Sequence, residues 1–241
     1  MRIPHLNPPY DPEVADALAV MQPKHWHFEP LRLFRTLTLN LPLQTAMWEL
    51  ARFMLAPRSP SGASFDLRTR ELIIDRVCAR CGCEYEWGVH VGVFAAKAGI
   101  TEEEAHSLAH GAGADPCWDA NDRATLNFVD ELHDQGSVTE PTWRVMQARF
   151  SDATLLELLA LAGWYHAICY IANGAQVELE PWAPPFRKYD DYAQKEIDYA
   201  DPGNAGSGLP DGAPDHGAPG PDWPPMDASG TLGTSRRTGP V

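Results

Sequence analysis

The chain has 241 residues, of which 44% are apolar, so it can bury the core of one sizeable domain. Its formal net charge of −14 argues against a nucleic-acid partner or an anionic membrane surface. We find no apolar run of membrane-spanning length, and the N-terminus lacks the basic and apolar regions of a secretory signal. Five cysteines, three of them crowded together, are a poor disulfide framework and favour a reducing cytoplasm.

Helix signals follow one another along the chain. The segment DPE at Asp11 predicts a first helix, because aspartate caps helices and proline is tolerated in the first turn. Apolar residues three and four apart predict two helices separated by Pro42. Asp66 is predicted to cap the helix LRTRELIIDRVCAR, and Gly82 after it predicts a bend.

The same signals continue through the second half of the domain. The helix EYEWGVHVGVFAAKAG is expected to end at Gly99, and Thr101 with Glu104 forms a capping box. Three further helix starts are predicted at capping residues, namely Asp119, Thr139 and Ser151. The last helix, ATLLELLALAGWYHAICYIANG, is nearly all apolar and is expected to be central and buried. The sequence therefore predicts an all-α bundle of about eight helices.

The C-terminal end of the chain has a different composition. The last 41 residues, from Asp201, contain nine glycines and eight prolines and show no apolar periodicity. Such a segment cannot bury enough surface to offset the entropy of ordering it. We therefore predict one folded domain over residues 1–187 and a largely disordered tail over 188–241.

The stretch CARCGCEYEWGVH holds three cysteines, two glutamates and a histidine within thirteen residues. On a helix, Glu86 and His90 are four apart and share a face, which Cys83 joins three residues before Glu86. Glu71 could reach the same site if the chain bends at Gly82. The stretch is thus a candidate for metal, thiol or acid–base chemistry.

A different part of the pattern supports each of these chemistries. The alternative is a core helix without chemistry, with buried cysteines and a histidine whose hydrogen bonds are made within the core. Three thiolates with His90 could bind zinc, but one helical run without a second ligand pair fits a structural zinc site badly, so no metal is expected. Cys78 and Cys81 have a redox spacing, and a nearby histidine would activate a thiolate. Glu86, four residues before His90, could orient the imidazole and raise its basicity.

The run ELIIDRVCARCGCEYEWGVH, followed by AKAGIT, resembles the carboxymuconolactone decarboxylase and alkylhydroperoxidase D superfamily. The later segment FSDATLLELLALAGWYHAICYIANG is similar to the final core helices of that group. The resemblance extends over about residues 30–180. It implies an all-α domain whose protomers assemble into homo-oligomers, as dimers, trimers or hexamers.

The superfamily has two chemical branches. The peroxidase branch carries a glutamate, eleven residues, C-x-x-C, three residues and a histidine. Counted from Glu71, this pattern falls on Cys83, Glu86 and His90, so a glutamate stands where the peroxide-attacking cysteine is expected. The decarboxylase branch has a glutamate four residues before its histidine, and Glu86 with His90 fits that arrangement.

The first functional hypothesis is therefore a cofactor-free enzyme that decarboxylates or isomerises a small organic acid or lactone next to a carbonyl. His90 would move the proton, Glu86 would orient His90, and Glu71 would relay or stabilise charge, with Cys83 in the same site. Residues expected around the pocket are Tyr85, Trp87 and His166, the last facing His90.

The alternative hypothesis is a thiol-dependent hydroperoxide reductase, an antioxidant with peroxiredoxin-type activity, that uses Cys78, Cys81 and Cys83. A third possibility is a helical binding or assembly module without chemistry. Tyr165 is expected to be core packing and His133 to be solvated. Arg76 is expected to form a surface ion pair.

Overall fold

The computed structural model describes residues 1–22, 29–55 and 63–189. Within these ranges the chain forms nine α-helices and no β-strand, which confirms the predicted all-α class. The helices are α1 (Pro12–Met21), α2 (Arg32–Leu37), α3 (Leu41–Leu55), α4 (Leu67–Arg80), α5 (Glu84–Phe94), α6 (Glu102–His110), α7 (Ala120–Gln135), α8 (Glu140–Arg149) and α9 (Asp152–Ala175). Two short 3-10 helices lie at Thr38–Asn40 and Phe186–Tyr189.

The helix starts agree with the predicted capping residues. The side chains of Asp66, Thr101, Asp119 and Ser151 each accept a hydrogen bond from a backbone N–H in the first turn of their helix. Thr139 also precedes a helix, but its hydroxyl makes no capping bond there. The four capping side chains bind backbone donors that the first helical turn leaves without partners.

Two backbone features differ in how well the sequence predicted them. Pro42 does not separate two helices, because it is the second residue of α3, where a backbone N–H has no helical partner to lose. Gly82 does bend the chain, with a φ of +58° that glycine adopts at little cost. Helix α4 ends at Arg80 and α5 begins at Glu84, so the two helices pack side by side.

Helix α4 is the centre of the domain and packs against α5, α6, α7 and α9. Residues 69–78 of this helix are all buried, although several of them are charged. Arg76 is one of these, and its guanidinium binds both carboxylate oxygens of Asp130 at 2.7 and 2.8 Å. The predicted ion pair of Arg76 is therefore present, but it is buried rather than on the surface.

Helix α9 packs against α4, α5 and α8 with its inner face. Its opposite face leaves Leu156 and Tyr170 each 68% exposed, so the prediction of a central, buried helix holds for the inner face of α9 and not for its outer face. Among the described helices, α9 has the length and apolar composition that a membrane crossing requires, contrary to the sequence expectation. Core helices meet the same two criteria, and the buried face of α9 belongs to the core of this domain.

The chain after α9 returns across α5. Trp87 of α5 is fully buried against the rings of Phe186 and Tyr189, at centroid distances of 4.9 and 5.2 Å. The described part of this segment is therefore packed on the domain as far as Tyr189. Residues 190–241 lie outside the described residues, so the disordered tail stays a prediction.

Candidate active site

The bend at Gly82 brings Glu71 of α4 and His90 of α5 together in the core. Glu71 Oε2 lies 2.8 Å from His90 Nδ1, and the two side chains are 0% and 6% exposed. An ionised carboxylate can only accept a hydrogen bond, so Nδ1 carries the proton and Nε2 presents its lone pair. Glu71 thereby fixes both the tautomer and the orientation of His90.

Arg70 keeps Glu71 ionised. Its Nε donates to Glu71 Oε1 at 2.6 Å, while Nη1 donates to the carbonyl of Leu55 at 2.7 Å. Burial raises the pKa of Glu71, but the charges of Arg70 and then of His90 lower it by more, so the pKa lies below its ordinary value. The site thus contains a buried carboxylate with two defined partners.

Asp75, one helical turn after Glu71, has the opposite environment. Among the described residues neither of its carboxyl oxygens has a hydrogen-bond partner, and its side chain is fully buried. Burial, and then the negative charge of Glu71, raise its pKa well above the ordinary value. The neutral form of Asp75 is therefore favoured beside the Glu71 carboxylate.

Two side chains face the other nitrogen of His90. The Tyr165 hydroxyl lies 2.9 Å from Nε2, and Glu86 Oε2 lies 3.8 Å from it. Burial, and then the charges of Glu86 and Glu71, raise the pKa of Tyr165 well above its usual value, so the hydroxyl stays protonated. It therefore donates its proton towards the Nε2 lone pair.

Glu86 titrates in the physiological range. Burial raises its pKa to about 6, with His90 opposing the increase and Glu180 adding to it. Near neutral pH, Glu86 is thus a mixture of carboxylic acid and carboxylate. It can donate a hydrogen bond in the first form and accept one in the second.

Glu86, His90 and Tyr165 face a cavity that encloses about 750 Å³ of empty space, including its opening. Apart from Gln44, the other side chains of its wall are apolar and come from α1, α2, α3, α5, α9 and Leu31. Among the described residues, no lysine or arginine lines this cavity. The site therefore combines a few convergent polar groups with a mostly apolar wall, as small-molecule sites do.

Comparisons with known proteins agree with this fold. The sequence model of the carboxymuconolactone decarboxylase family matches residues 43–131, which contain Glu71, Glu86 and His90. An alkylhydroperoxidase D core structure from Ralstonia eutropha JMP134, an uncharacterised peroxidase-related protein, has a TM-score of 0.62 at 16% identity. The match covers 75% of this chain and 94% of that one. Residues 43–131 therefore match the carboxymuconolactone decarboxylase family, and the fold of the chain is that of alkylhydroperoxidase D-like structures.

Other solved structures of similar fold carry different descriptions. A peroxidase-related protein from Silicibacter sp. TM1040 has a TM-score of 0.60 at 17% identity, covering 78% of this chain and 97% of that one. The debrominase Bmp8, solved as a cysteine-to-alanine variant with 2,3,4-tribromopyrrole, has a TM-score of 0.59 at 13% identity, with 80% and 97% covered. No curated protein gives a significant match. At these identities the structures establish the fold, not the activity.

Glu71 and Glu86 both lie beside His90, but it is Glu71 that is hydrogen-bonded to the imidazole. The sequence predicted that Glu86 orients His90, but the hydrogen bond at 2.8 Å comes from Glu71, and Glu86 lies 3.8 Å from the other nitrogen. Cys83 does not join the site, because it is the residue before α5, is fully buried and is absent from the cavity wall. Its thiol lies near Cys169 instead.

The three residues predicted around the pocket lie elsewhere. Tyr85 directs its hydroxyl to the Glu180 carboxylate at 2.8 Å, so it fastens the segment after α9. Trp87 packs on the same C-terminal segment and not on the cavity. His166 faces His133, with 3.0 Å between ring nitrogens, and does not face His90. The prediction that His133 is solvated was also wrong.

Two residues of the site were missed. Arg70 directly precedes Glu71, and Tyr165 was expected to be core packing, yet its hydroxyl binds His90. A buried tyrosine normally finds a hydrogen-bond partner for its hydroxyl, so the apolar surroundings of Tyr165 in the sequence already indicated a polar partner for it.

Four of the five cysteines, Cys78, Cys81, Cys83 and Cys169, form a separate group between the end of α4 and α9. All five are free, and the thiol of Cys169 lies 3.8 Å from that of Cys78. Burial raises the pKa of Cys78 to about 12. Cys81 is half-buried, and hydrogen bonds with Cys169 and then with His166 lower its pKa, although burial opposes them. Cys81 is thus the accessible thiol of the predicted redox cluster.

A Glu86→Gln variant is expected to change how stability depends on pH. The pKa of about 6 in the folded protein exceeds the ordinary 4.5, so the folded state binds the proton more tightly and wild type loses stability as pH rises between these values. The difference corresponds to about 2 kcal/mol. Urea titrations should show that the free energy of unfolding of the variant, relative to that of wild type, increases by this amount between pH 4 and pH 7. A gap that does not change with pH would contradict the environment described for Glu86, and Glu140→Gln, at an exposed carboxylate, is the control.

Proposed function

We propose that the protein catalyses cofactor-free acid–base chemistry, an isomerisation or decarboxylation next to a carbonyl, on a small organic acid or lactone. The observation that carries this proposal is the arrangement of His90. Glu71 holds it by Nδ1, and its basic Nε2 is directed to an apolar cavity beside two further proton carriers. A base that is oriented by a carboxylate and placed within reach of substrate is the usual arrangement for general acid–base catalysis.

The proton transfer follows from these positions. When the substrate binds, the Tyr165 hydroxyl transfers its hydrogen bond from His90 Nε2 to the carbonyl oxygen, which frees the Nε2 lone pair. Nε2 then takes the proton from the carbon beside the carbonyl, and the electron pair of the broken C–H bond moves onto the carbonyl oxygen. The Tyr165 hydroxyl and the protonated form of Glu86 donate hydrogen bonds to this enolate oxygen. Glu71 stabilises the imidazolium that forms. In a substrate with a C=C bond next to the deprotonated carbon, the electron pair returns from the oxygen through the conjugated system, and His90 delivers the proton to the far carbon of that bond, which completes an isomerisation.

Decarboxylation uses the same groups in a different order. In a β-keto acid the C–C bond to the carboxylate breaks, carbon dioxide leaves, and the electron pair moves onto the neighbouring carbonyl. Tyr165 and Glu86 again face the enolate oxygen. His90, protonated in this case, delivers a proton to the carbon, and the neutral imidazole is restored with Glu71 still bound to Nδ1.

The cavity wall supports a largely apolar substrate. The described wall is lined mainly by apolar side chains, which would pack against the carbon skeleton of such a substrate. The debrominase of similar fold was solved with 2,3,4-tribromopyrrole, a small apolar ring, which supports ring compounds of that size as candidates.

A screen of carbonyl compounds tests the proposal even while the substrate is unidentified. Purified protein would be incubated with a panel of lactones, ketones and β-keto acids, and NMR would follow product formation and the loss of α-protons to D₂O. We expect at least one neutral ring compound to react. Absence of turnover over the whole panel, together with thiol-dependent peroxide reduction, would overturn the proposal.

A thiol peroxidase is the second candidate, and the arrangement of Cys81 favours it. Its thiolate would attack the hydroperoxide, forming an S–O bond and breaking the O–O bond, and His166 would protonate the departing alkoxide. The thiol of the neighbouring Cys169 would then displace water from the sulfenic acid to form a disulfide. An external dithiol would have to reduce that disulfide. Cys78 and Cys83 are fully buried and do not suit the first step.

A Cys81→Ser variant separates the two candidates. Since Cys81 does not line the cavity, we expect the variant to convert the carbonyl substrate at the wild-type rate. Any hydroperoxide reduction should be lost. Cys117→Ser, at a half-buried cysteine outside the group, is the control for changes in thiol content. A folded Cys81→Ser protein without carbonyl activity would contradict the acid–base proposal.

We further propose a cytoplasmic location and a homo-oligomer. The absence of disulfides among the described cysteines suits a reducing compartment. The exposed face of α9, with Leu156 and Tyr170, is an apolar surface that a second copy could cover.

A further inference from the structure

A second cluster of polar side chains lies where α4, α7 and α9 meet, outside the cavity wall. Cys81 follows the last residue of α4, His133 lies in the last turn of α7, and His166 lies in the middle of α9. One ligand atom from each, the cysteine sulfur and a nitrogen of either histidine ring, lies within 4.8 Å of the other two. We propose that Cys81, His133 and His166 form a binding site for a divalent transition-metal ion, with zinc as the best match.

The distances suit the size of such an ion. In tetrahedral zinc sites the sulfur lies about 2.3 Å and each nitrogen about 2.0–2.1 Å from the metal, which places the ligand atoms about 3–4 Å apart. His133 Nδ1 and His166 Nε2 are 3.0 Å apart, and the cysteine sulfur lies within 4.8 Å of both. Small rotations of the side chains would complete the three-ligand arrangement.

The partner of His166 supports a ligand role. Its Nδ1 lies 2.8 Å from the carbonyl of Ala162, which can only accept, so Nδ1 carries the proton. Nε2 therefore directs its lone pair towards His133 and Cys81. Metal-binding histidines usually donate their other N–H to a carbonyl or carboxylate, because this contact fixes the tautomer and the ring.

The donor set points to the type of ion and to an open position. One thiolate and two imidazoles suit zinc, copper or cobalt, and they suit magnesium or calcium poorly, because these prefer oxygen. All three residues are half-buried, so solvent can reach the cluster. Three protein ligands leave the fourth position of a tetrahedral ion to water. The sequence pattern suggested zinc ligands only within residues 78–90, whereas two of these ligands lie in α7 and α9.

Metal titration of the full chain, free of tags and stripped of metal, tests this site. Co²⁺ serves as the spectroscopic probe, and we expect one equivalent per chain with the absorption of a tetrahedral ion and a sulfur-to-cobalt charge-transfer band. Zn²⁺ should displace it. Cys81→Ser should remove the charge-transfer band, and His133→Ala and His166→Ala should each weaken Zn²⁺ binding at least about tenfold. Cys117→Ser and His110→Ala, outside the cluster, should bind as wild type does.

A second measurement needs no variant and therefore does not depend on whether the variants fold. Zn²⁺ should protect Cys81 of the wild-type protein from alkylation, read by mass spectrometry of the peptide that contains it. Failure of micromolar Zn²⁺ to bind at one equivalent, binding that survives all three substitutions, or alkylation of Cys81 at an unchanged rate would each overturn the proposal. These outcomes leave the His90 site untouched, since none of the three residues lines its cavity.

Discussion

His90→Ala is expected to lose at least about two orders of magnitude in turnover of the carbonyl substrate, the usual contribution of a positioned acid–base group. Nε2 of His90 faces the cavity, and the group that holds it, Glu71, lies on the far side of the ring. Glu71 is fully buried and cannot replace the base. Steady-state kinetics would show the loss in kcat, with folding checked by circular dichroism.

Glu86→Gln should cost less than His90→Ala. The amide keeps the shape of the side chain and can still donate a hydrogen bond to the enolate oxygen, although it removes the titrating group. His110→Ala, at an exposed histidine outside the cavity, is the matched control and should turn over as wild type does. A Glu86→Gln loss larger than that of His90→Ala would show that the carboxyl, not the imidazole, is the principal base.

Glu71→Ala is expected to destabilise the protein by about 3–5 kcal/mol, the range found when one partner of a buried ion pair is removed. The Glu71 carboxylate is fully buried and binds Arg70 Nε at 2.6 Å and His90 Nδ1 at 2.8 Å. Without it, the Arg70 guanidinium, only 7% exposed, stays in the core and loses its hydrogen-bonded carboxylate. Urea denaturation at pH 7 measures the loss. Because the pKa of Glu71 is lowered, its contribution is full above pH 4.5 and declines as pH falls below that value.

Glu140→Ala is the matched control for Glu71. Glu140 also pairs with an arginine, Arg144, at 2.8 Å, but these side chains are 67% and 74% exposed. Exposed pairs contribute about 0–1 kcal/mol because water and salt screen them. If Glu71→Ala lowered the free energy of unfolding by as little as Glu140→Ala does, Arg70 must find another partner, and Glu71 would not be the residue that stabilises the site.

The sequence predicted those parts of the fold that depend on neighbouring residues. Side-chain caps act within one helical turn, so Asp66, Thr101, Asp119 and Ser151 could be recognised as helix starts from their local pattern. The bend at Gly82 depends on the freedom of glycine to adopt positive φ. That bend also allowed the contact between Glu71 and the His90 helix to be anticipated.

The contacts between helices could not be read from spacing in the same way. Four-residue spacing placed Glu86 beside His90, but Glu71 on the neighbouring helix comes closer. Side chains of successive helical residues point about 100° apart, so Tyr85 and Trp87 face the C-terminal segment while Glu86 faces the cavity.

The same rotation explains the errors in α9. Tyr165 reaches His90, whereas its neighbour His166 turns to His133 and Cys81. Nothing in the local sequence states which helices adjoin α9, so neither the hydroxyl contact nor the Cys81–His133–His166 cluster could be predicted. The buried ion pair of Arg76 with Asp130 also joins two helices, so it too could not be predicted from the local sequence.

The most direct test of the acid–base proposal is exchange of the substrate's α-proton with D₂O, followed by NMR in wild type, His90→Ala and Cys81→Ser. The exchange reports the breaking of one C–H bond and needs no later step to proceed. We expect wild type and Cys81→Ser to exchange at equal rates and His90→Ala to be slower by at least about two orders of magnitude. Undiminished exchange in His90→Ala, with the fold intact, would contradict the assignment of His90 as the base.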